Sequence, residues 1–308
     1  MFNRKEIEAR MTKLVTDQLA QGKAPWRKPW VGEAGYVPTS LQTGKPYRGI
    51  NRFVLSLFGA EFERPLWATY LGAKQLGSHV CRGQSGVPVV YYSMVNKRDK
   101  ETGEEYRVPI MRLSTVFNVA QCCTGCDTCE GITIPAKWFR PRPAVPVLDG
   151  VATLLDKYTD KPRITNAGGD EAFYSPMLDS ITIPLREQFD RAEDYAYTLA
   201  HELTHSTAHE KRLNRKAESG FAPFGSPSYA REELVADLGA QMVLADLGVS
   251  VDMDNSAAYV AGWLKALNDD PSMLIKACSD AQKAADYMLG IKAEDVETAD
   301  ETEEVLAV

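Results

Sequence analysis

Histidine is nearly absent from this 308-residue chain: there are 4, at positions 79, 201, 205 and 209. Imidazole chemistry is therefore confined to few places, and three of the four fall within nine residues. Long apolar runs are missing too. No window approaches the roughly twenty uninterrupted apolar residues of a membrane-spanning helix, so no such helix is expected and no membrane partner with it. The opening residues, Met1-Phe2-Asn3-Arg4-Lys5-Glu6, are charged and have no apolar signal core, which predicts a cytoplasmic protein. In that compartment the 6 cysteines are not expected to build a disulfide framework. No internal repeat is present, which argues against solenoid architectures.

The apolar content, 44%, is enough for a sizeable core, and the length predicts two. Charge divides the chain as well. Residues 1–140 hold 20 Lys and Arg against 12 Asp and Glu, a balance of +8; residues 141–308 hold 15 against 30, a balance of −15. Halves of opposite sign predict modules with different partners. The basic half carries four of the 5 tryptophans: Trp26, Trp30, Trp67 and Trp138. Cations that track phosphates, interleaved with rings that stack on unpaired bases, suit a single-stranded nucleic-acid groove. The same rings would serve equally well as core, and composition does not separate the two readings.

The clustered histidines form the motif His201-Glu202-Leu203-Thr204-His205, preceded by the small and apolar residues of a buried helix. Four apart on a helix, His201 and His205 offer two imidazoles to one metal ion. Glu202 points around the next turn toward the same place, where it can take a proton from water. A third ligand is needed. The metzincin pattern requires Gly at 208 and His at 211, and the chain has Ala208 and Lys211. A second acid-bearing run, Arg231-Glu232-Glu233-Leu234-Val235-Ala236-Asp237, supplies the alternative. Glu233 and Asp237 are four apart, so Glu233 can ligate while Asp237 orients a histidine through its free ring N–H. Glu232 competes for the ligand role but has Ala236, not an acid, four residues on. Zinc is the default ion for two nitrogens and one oxygen, and manganese or another divalent ion also fits. For His209 a supporting, a substrate-facing and an exposed role all remain open.

Four cysteines crowd into Cys122-Cys123-Thr124-Gly125-Cys126-Asp127-Thr128-Cys129. The spacing can bind a soft metal, but zinc ribbons bring a second pair from a distant segment and none is evident. A loop of reduced thiols is the expectation.

Periodicity predicts a helix over residues 3–22, a Pro- and Trp-punctuated loop to Trp30, short helices over 51–58 and 69–76, and strands over 88–95 and 106–118. The first module thus reads as α+β and covers 1–140. Residues 141–146 are a proline-stiffened linker. A second module, 147–290, is expected to hold a helix near 147–159, a short strand pair within 174–184, and helices near 189–209, 229–247, 256–268 and 271–288. Residues 291–308 carry seven acids and read as a disordered tail.

From about residue 5 to about residue 288 the chain resembles the ArdC family of antirestriction proteins. The N-terminal marks are Pro25-Trp26-Arg27-Lys28-Pro29-Trp30, Tyr47-Arg48-Gly49-Ile50-Asn51, Trp67-Ala68-Thr69-Tyr70 and Val116-Phe117-Asn118. The C-terminal marks are Tyr174, Pro176, Asp179, Ile181 and Pro184, then the histidine motif, Arg212 with Arg215, and Tyr229 with Glu233. The Cys122–Cys129 cluster departs from the family pattern. The resemblance implies an α+β fold: an N-terminal single-stranded-DNA-binding domain followed by a mostly helical, zincin-like metallopeptidase domain. It implies a mobile-element protein that escorts single-stranded DNA and counters host restriction, with restriction enzymes or another protein as substrates. The expected DNA contacts are Trp26, Arg27, Lys28, Trp30, Lys45, Tyr47, Arg48, Asn51 and Arg52. The expected chemistry is amide hydrolysis with Glu202 as base, and Tyr174 or His209 as a stabiliser of the oxyanion. The rival reading is a non-catalytic, restriction-blocking DNA binder with a structural or vestigial metal site.

Overall fold

The chain begins its first helix with a reciprocal cap. The Asn3 side chain accepts the Glu6 N–H at 3.0 Å, and the Glu6 carboxylate accepts the Asn3 N–H at 2.7 Å, starting α1 (Arg4–Ala20). The computed structural model describes residues 3–21, 37–98, 103–126, 131–132, 134, 145–215, 226–249 and 257–292. The linker from 141 to 144, the tail from 293 on, and the tryptophan loop lie outside these residues. One stripe of α1 buries Ile7, Met11, Val15 and Leu19. That stripe packs on α7 (Ala257–Asp269), and Thr12 Oγ1 donates to the Pro271 carbonyl at 2.7 Å.

β1 (Thr39–Ser40), β2 (Leu66–Thr69), β3 (Val87–Arg98) and β4 (Glu105–Asn118) form a sheet ordered β1-β2-β4-β3. β3 and β4 are an antiparallel hairpin with Val87 opposite Val116 and Arg98 opposite Glu105. The hairpin outruns the apolar stretch that predicted it, because ladder hydrogen bonds carry the charged ends as well. β2 pairs antiparallel with β4, and β1 adds in parallel at the edge. Helices α2 (Gly49–Gly59) and α3 (Tyr70–Gln75) accompany this sheet, the latter capped by Thr69 Oγ1 accepting from the Gly72 N–H at 2.9 Å.

Further along come α4 (Val147–Lys157) and a sheet of β5 (Arg163–Ala167), β6 (Phe173–Ser175) and β7 (Ser180–Pro184), ordered β5-β7-β6. β6 and β7 are the expected strand pair. β5 was not expected: Arg163-Ile164-Thr165-Asn166-Ala167 lies on an open edge and is mostly exposed, so it carries little apolar pattern. Helices α5 (Ala192–Ser206), α6 (Pro227–Asp246) and α8 (Met273–Leu289) complete the fold with α7. Gly290, in the left-handed region at φ +68°, ends α8. The fold is α+β, as expected. Among the described residues no helix is long and apolar enough to cross a membrane.

Two cores were expected, and here the structure differs. Ile7, Phe53, Trp67 and Val89 share one continuous apolar cluster with Leu199, Leu238 and Leu274; a small satellite surrounds Leu41, Leu66, Ala68 and Cys122. The reason is that α1 and α2 each bury a stripe that the sheet beside them does not cover, and α7 and α8 cover it. Polar contacts close the same seam. Arg52 Nη1 lies 2.9 Å from Asp246 Oδ2, and Nη2 donates to the Met242 carbonyl at 3.0 Å. Arg48 pairs with Asp286, and the Gly49 N–H donates to Gln282 Oε1 at 3.2 Å.

Arg52→Ala removes the guanidinium that lies 2.9 Å from Asp246, and breaking a mostly buried pair costs about 3 kcal/mol. Urea unfolding of the whole chain should show a lower midpoint, with DNA affinity retained well below it. Lost affinity at an unchanged midpoint would return Arg52 to a phosphate-contact role.

Candidate metal centre

α6 starts on Ser226, whose Oγ accepts the Tyr229 N–H at 3.2 Å, and on Pro227, which has no N–H to leave unpaired. It lies against α5, and Gly239 sits at a close approach to Thr204. A Cβ there would stand 2.5 Å from Thr204 Cγ2, so any side chain would force the helices apart. The close approach brings Glu233 up to the face of α5 that carries His201 and His205.

The three side chains converge. His201 Nε2 and His205 Nε2 are 3.1 Å apart, and the two oxygens of Glu233 stand 3.6 Å from them, one on each. On a tetrahedral ion with metal–nitrogen bonds of about 2.0–2.1 Å, two nitrogens stand roughly 3.3 Å apart. The observed spacing fits.

The far ring nitrogens are held by acids. His201 Nδ1 is 2.9 Å from Asp237 Oδ1, and His205 Nδ1 is 3.5 Å from Glu232 Oε1. These acids are anchored in turn: Tyr197 Oη donates to Asp237 Oδ1 at 2.7 Å, and Arg215 Nη2 donates to Glu232 Oε1 at 2.8 Å. Arg215 also donates to Thr207 Oγ1 at 2.6 Å and to the Thr204 carbonyl at 3.0 Å. With each Nδ1–H turned to a carboxylate, both Nε2 lone pairs face the same point, the arrangement a metal requires.

The charge balance agrees. Burial disfavours a charged His201, but hydrogen bonds to Asp237 and Glu233 outweigh it and push its pKa up to about 10. Burial likewise works against ionised Glu232 and Glu233. His205 and Arg215 nevertheless hold Glu232 below the ordinary carboxylate value, and His201, His205 and the Tyr229 phenol do the same for Glu233. A shell this acidic favours a cation at its centre, and the donor set suits a divalent metal.

His201, His205, Glu233 and Asp237 thus come together as expected. Glu232, weighed as a rival ligand, instead orients His205. Glu202 is 8% exposed and acts electrostatically on both His201 and Tyr229, which places it beside the centre. His209 is buried, with Nδ1 accepting the Lys211 N–H at 3.2 Å. α5 ends at Ser206, so His209 lies in the turn beyond it, off the helical series, and it takes no part in the ligand cluster. Tyr174 donates its hydroxyl to Asp179 at 2.9 Å. Asp179 in turn receives both Arg212 nitrogens, at 2.8 and 3.0 Å, and Arg212 also donates to the Ser206 carbonyl at 3.0 Å. This clamp ties the β6–β7 turn to the end of α5 and engages the Tyr174 hydroxyl. Tyr197, Arg215 and Tyr229 were not foreseen in supporting roles. Tyr197, four residues before His201, carried a legible signal; Arg215 was a mark of the family resemblance, but its spacing did not reveal this role, since a loop folds it back.

The expected DNA contacts divide. Trp26, Arg27, Lys28 and Trp30 lie outside the described residues. Lys45 sits in the turn between β1 and α2. Tyr47 is buried, and the Asn51 side chain exchanges two 2.7 Å hydrogen bonds with the Val90 backbone. With Arg48 and Arg52 in the seam, these four make contacts within the fold. Trp67 is fully buried, edge-on to Phe62, so for this ring the core reading holds.

Comparison with known proteins agrees with the geometry. Residues 5–117 match the family model for the N-terminal domain of anti-restriction factor ArdC, and residues 156–280 match that for zincin-like metallopeptidase. The crystal structure of the antirestriction ArdC protein from plasmid R388, metal-free, superposes with a TM-score of 0.73 at 35% identity, covering 94% of this chain and 98% of that one. Its Mn(II)-bound structure gives 0.71 at 34% identity, covering 93% and 98%. The chain belongs to the ArdC antirestriction family.

Other relatives of this ArdC-family chain are DNA primase TraC of Escherichia coli and protein y4eC of Sinorhizobium fredii. TraC is 36% identical over 91% of this chain, which spans only 20% of TraC's length. A second E. coli TraC is 32% identical and is spanned to 28%. Protein y4eC is 31% identical, with 92% and 91% covered. The Cys122–Cys129 segment lies outside both matched spans.

His205→Ala and Glu233→Ala should each abolish metal retention at this centre, measured by elemental analysis after desalting. Glu232→Ala keeps all three ligands but frees the His205 ring, so affinity should fall about 10–100-fold without loss of the site. Full retention in Glu233→Ala would overturn the ligand assignment.

Proposed function

We propose that this ArdC-family protein binds single-stranded DNA through its basic half and hydrolyses a peptide bond at the His201–His205–Glu233 centre, with zinc as the resident ion. The observation that carries the hydrolytic reading is the pairing of a converged three-ligand cluster with an additional buried acid, Glu202, that no ligand role explains. A divalent ion held there would supply Lewis acidity and a bound water of lowered pKa. Asp237 and Glu232 fix the two imidazole rings, Tyr229 steadies Glu233, and Glu202 is placed to accept a proton from water and return it to a leaving amine. A merely structural site has no use for Glu202.

On the basic half, the β3–β4 hairpin adds an exposed surface. Tyr106 and Arg112 stand on one face of β4, both exposed, with Tyr91 directly opposite Arg112. An exposed cation and an exposed ring on one strand face suit a flexible strand whose bases are free to stack. This face, and by residue type Trp26, Arg27, Lys28, Trp30 and Lys45, are the proposed DNA contacts.

Glu202→Gln should leave metal content unchanged and cut hydrolysis of host proteins, restriction enzymes among them, by at least about a hundredfold. Undiminished cleavage would remove Glu202 from the mechanism, and absence of cleavage by the unaltered protein would favour a non-catalytic centre.

For DNA, the whole chain should prefer single strands over duplex. Trp26→Ala or Trp30→Ala should weaken binding about five- to a hundredfold at unchanged melting temperature, since a stacked base contributes roughly 1–3 kcal/mol. Arg112→Ala should flatten the dependence on salt concentration. Equal affinity for duplex and single strands would defeat the stacking model.

A further inference from the structure

The Cys122–Cys129 segment has a partner that its own spacing does not reveal. Val80 forms an antiparallel bridge with Cys122. The Cys123 N–H donates to the His79 carbonyl at 2.9 Å, the Cys81 N–H to the Gln121 carbonyl at 2.9 Å, and Ser78 Oγ to the Cys123 carbonyl at 2.8 Å. These bonds splice residues 78–81 to residues 121–123 and bring His79 against the cysteine loop. The ligand atoms of His79, Cys123 and Cys126 all lie within 4.8 Å of one another.

The loop is shaped for this. Cys123 and Cys126 are separated by Thr124, at a bend, and by Gly125, whose φ of +138° suits a glycine. Ile132 N–H returns to the Cys123 carbonyl at 3.3 Å, and Gly131, at φ +93°, passes so close that a Cβ would stand 2.4 Å from the Thr124 carbonyl oxygen. Among the described residues, the apolar cluster this segment joins is the small one of Leu41, Leu66, Ala68, Ala73, Val119 and Cys122, with Val80 and Ile132 packed against it. So little apolar surface is a weak support for two spliced loops, and a shared metal would close them.

We propose that His79, Cys123 and Cys126 form a second, structural metal site selective for zinc. Two thiolates and an imidazole favour zinc over magnesium, calcium or manganese, which prefer oxygen donors. Ligand atoms on a tetrahedral zinc stand roughly 3.3–3.8 Å apart, within reach of small side-chain rotations here. This site is independent of the hydrolytic reading of the His201 centre and shares no ligand with it.

The test uses the full chain produced with zinc. Elemental analysis should find about two zinc per chain in the unaltered protein and about one in His205→Ala, because the second site remains. Adding Cys123→Ser and Cys126→Ser to His205→Ala should remove that one. Cobalt replacing zinc gives thiolate-to-cobalt absorption in the near-ultraviolet only where sulfur is a ligand, and the His201 centre contains none. The unaltered protein should show that band, which needs no variant to fold. His79→Ala should keep the band but release metal to a chelator faster. Absence of the band, or His205→Ala free of metal, overturns the proposal and leaves the His201 centre standing.

Discussion

The contact between Gly239 and Thr204 sets the distance between α5 and α6, and the metal centre depends on that distance. The histidine pair belongs to one helix; the ligand carboxylate and both ring-orienting acids belong to the other. Only where a backbone replaces a side chain do the two come close enough for Glu233 to reach both Nε2 atoms. The neighbouring interactions keep that geometry. The Arg212–Asp179 clamp fixes the C-terminal end of α5, and Arg215 bridges the loop beyond it to Glu232.

The centre is also an electrostatic problem solved collectively. Glu202, Glu232, Glu233 and Asp237 occupy one small region, three of them with little access to water, and their mutual repulsion must be offset. Arg215 offsets part of it from outside, and Tyr197 and Tyr229 offer neutral donors. The remainder is met at the centre, by a proton on His201 or by a metal ion. Buried acids without a cation among them are costly, so the acid-rich surroundings are themselves an argument for metal binding.

The two halves of opposite charge share one apolar core. α1 and α2 bury their apolar stripes on α7 and α8, and arginines of the basic half find their counterions on α6 and α8. Residues that look like nucleic-acid contacts by type, Arg48 and Arg52 above all, are instead part of that seam. Net charge predicts the surface field of a segment, whereas an individual arginine goes where a carboxylate and a carbonyl converge.

By itself the sequence determined the helical periodicity, the α+β class and the three residues of the candidate metal cluster. Each follows from near-neighbour spacing: His201 and His205 four apart, Glu233 and Asp237 four apart, apolar residues recurring every three or four positions. Tertiary structure alone decided the role of Glu232, the support from Arg215, the strand β5, the single shared core and the meeting of His79 with Cys123. These depend on which segments are brought side by side across long stretches of chain. Such pairings are set by packing and backbone hydrogen bonds between distant residues, and local spacing carries no record of them.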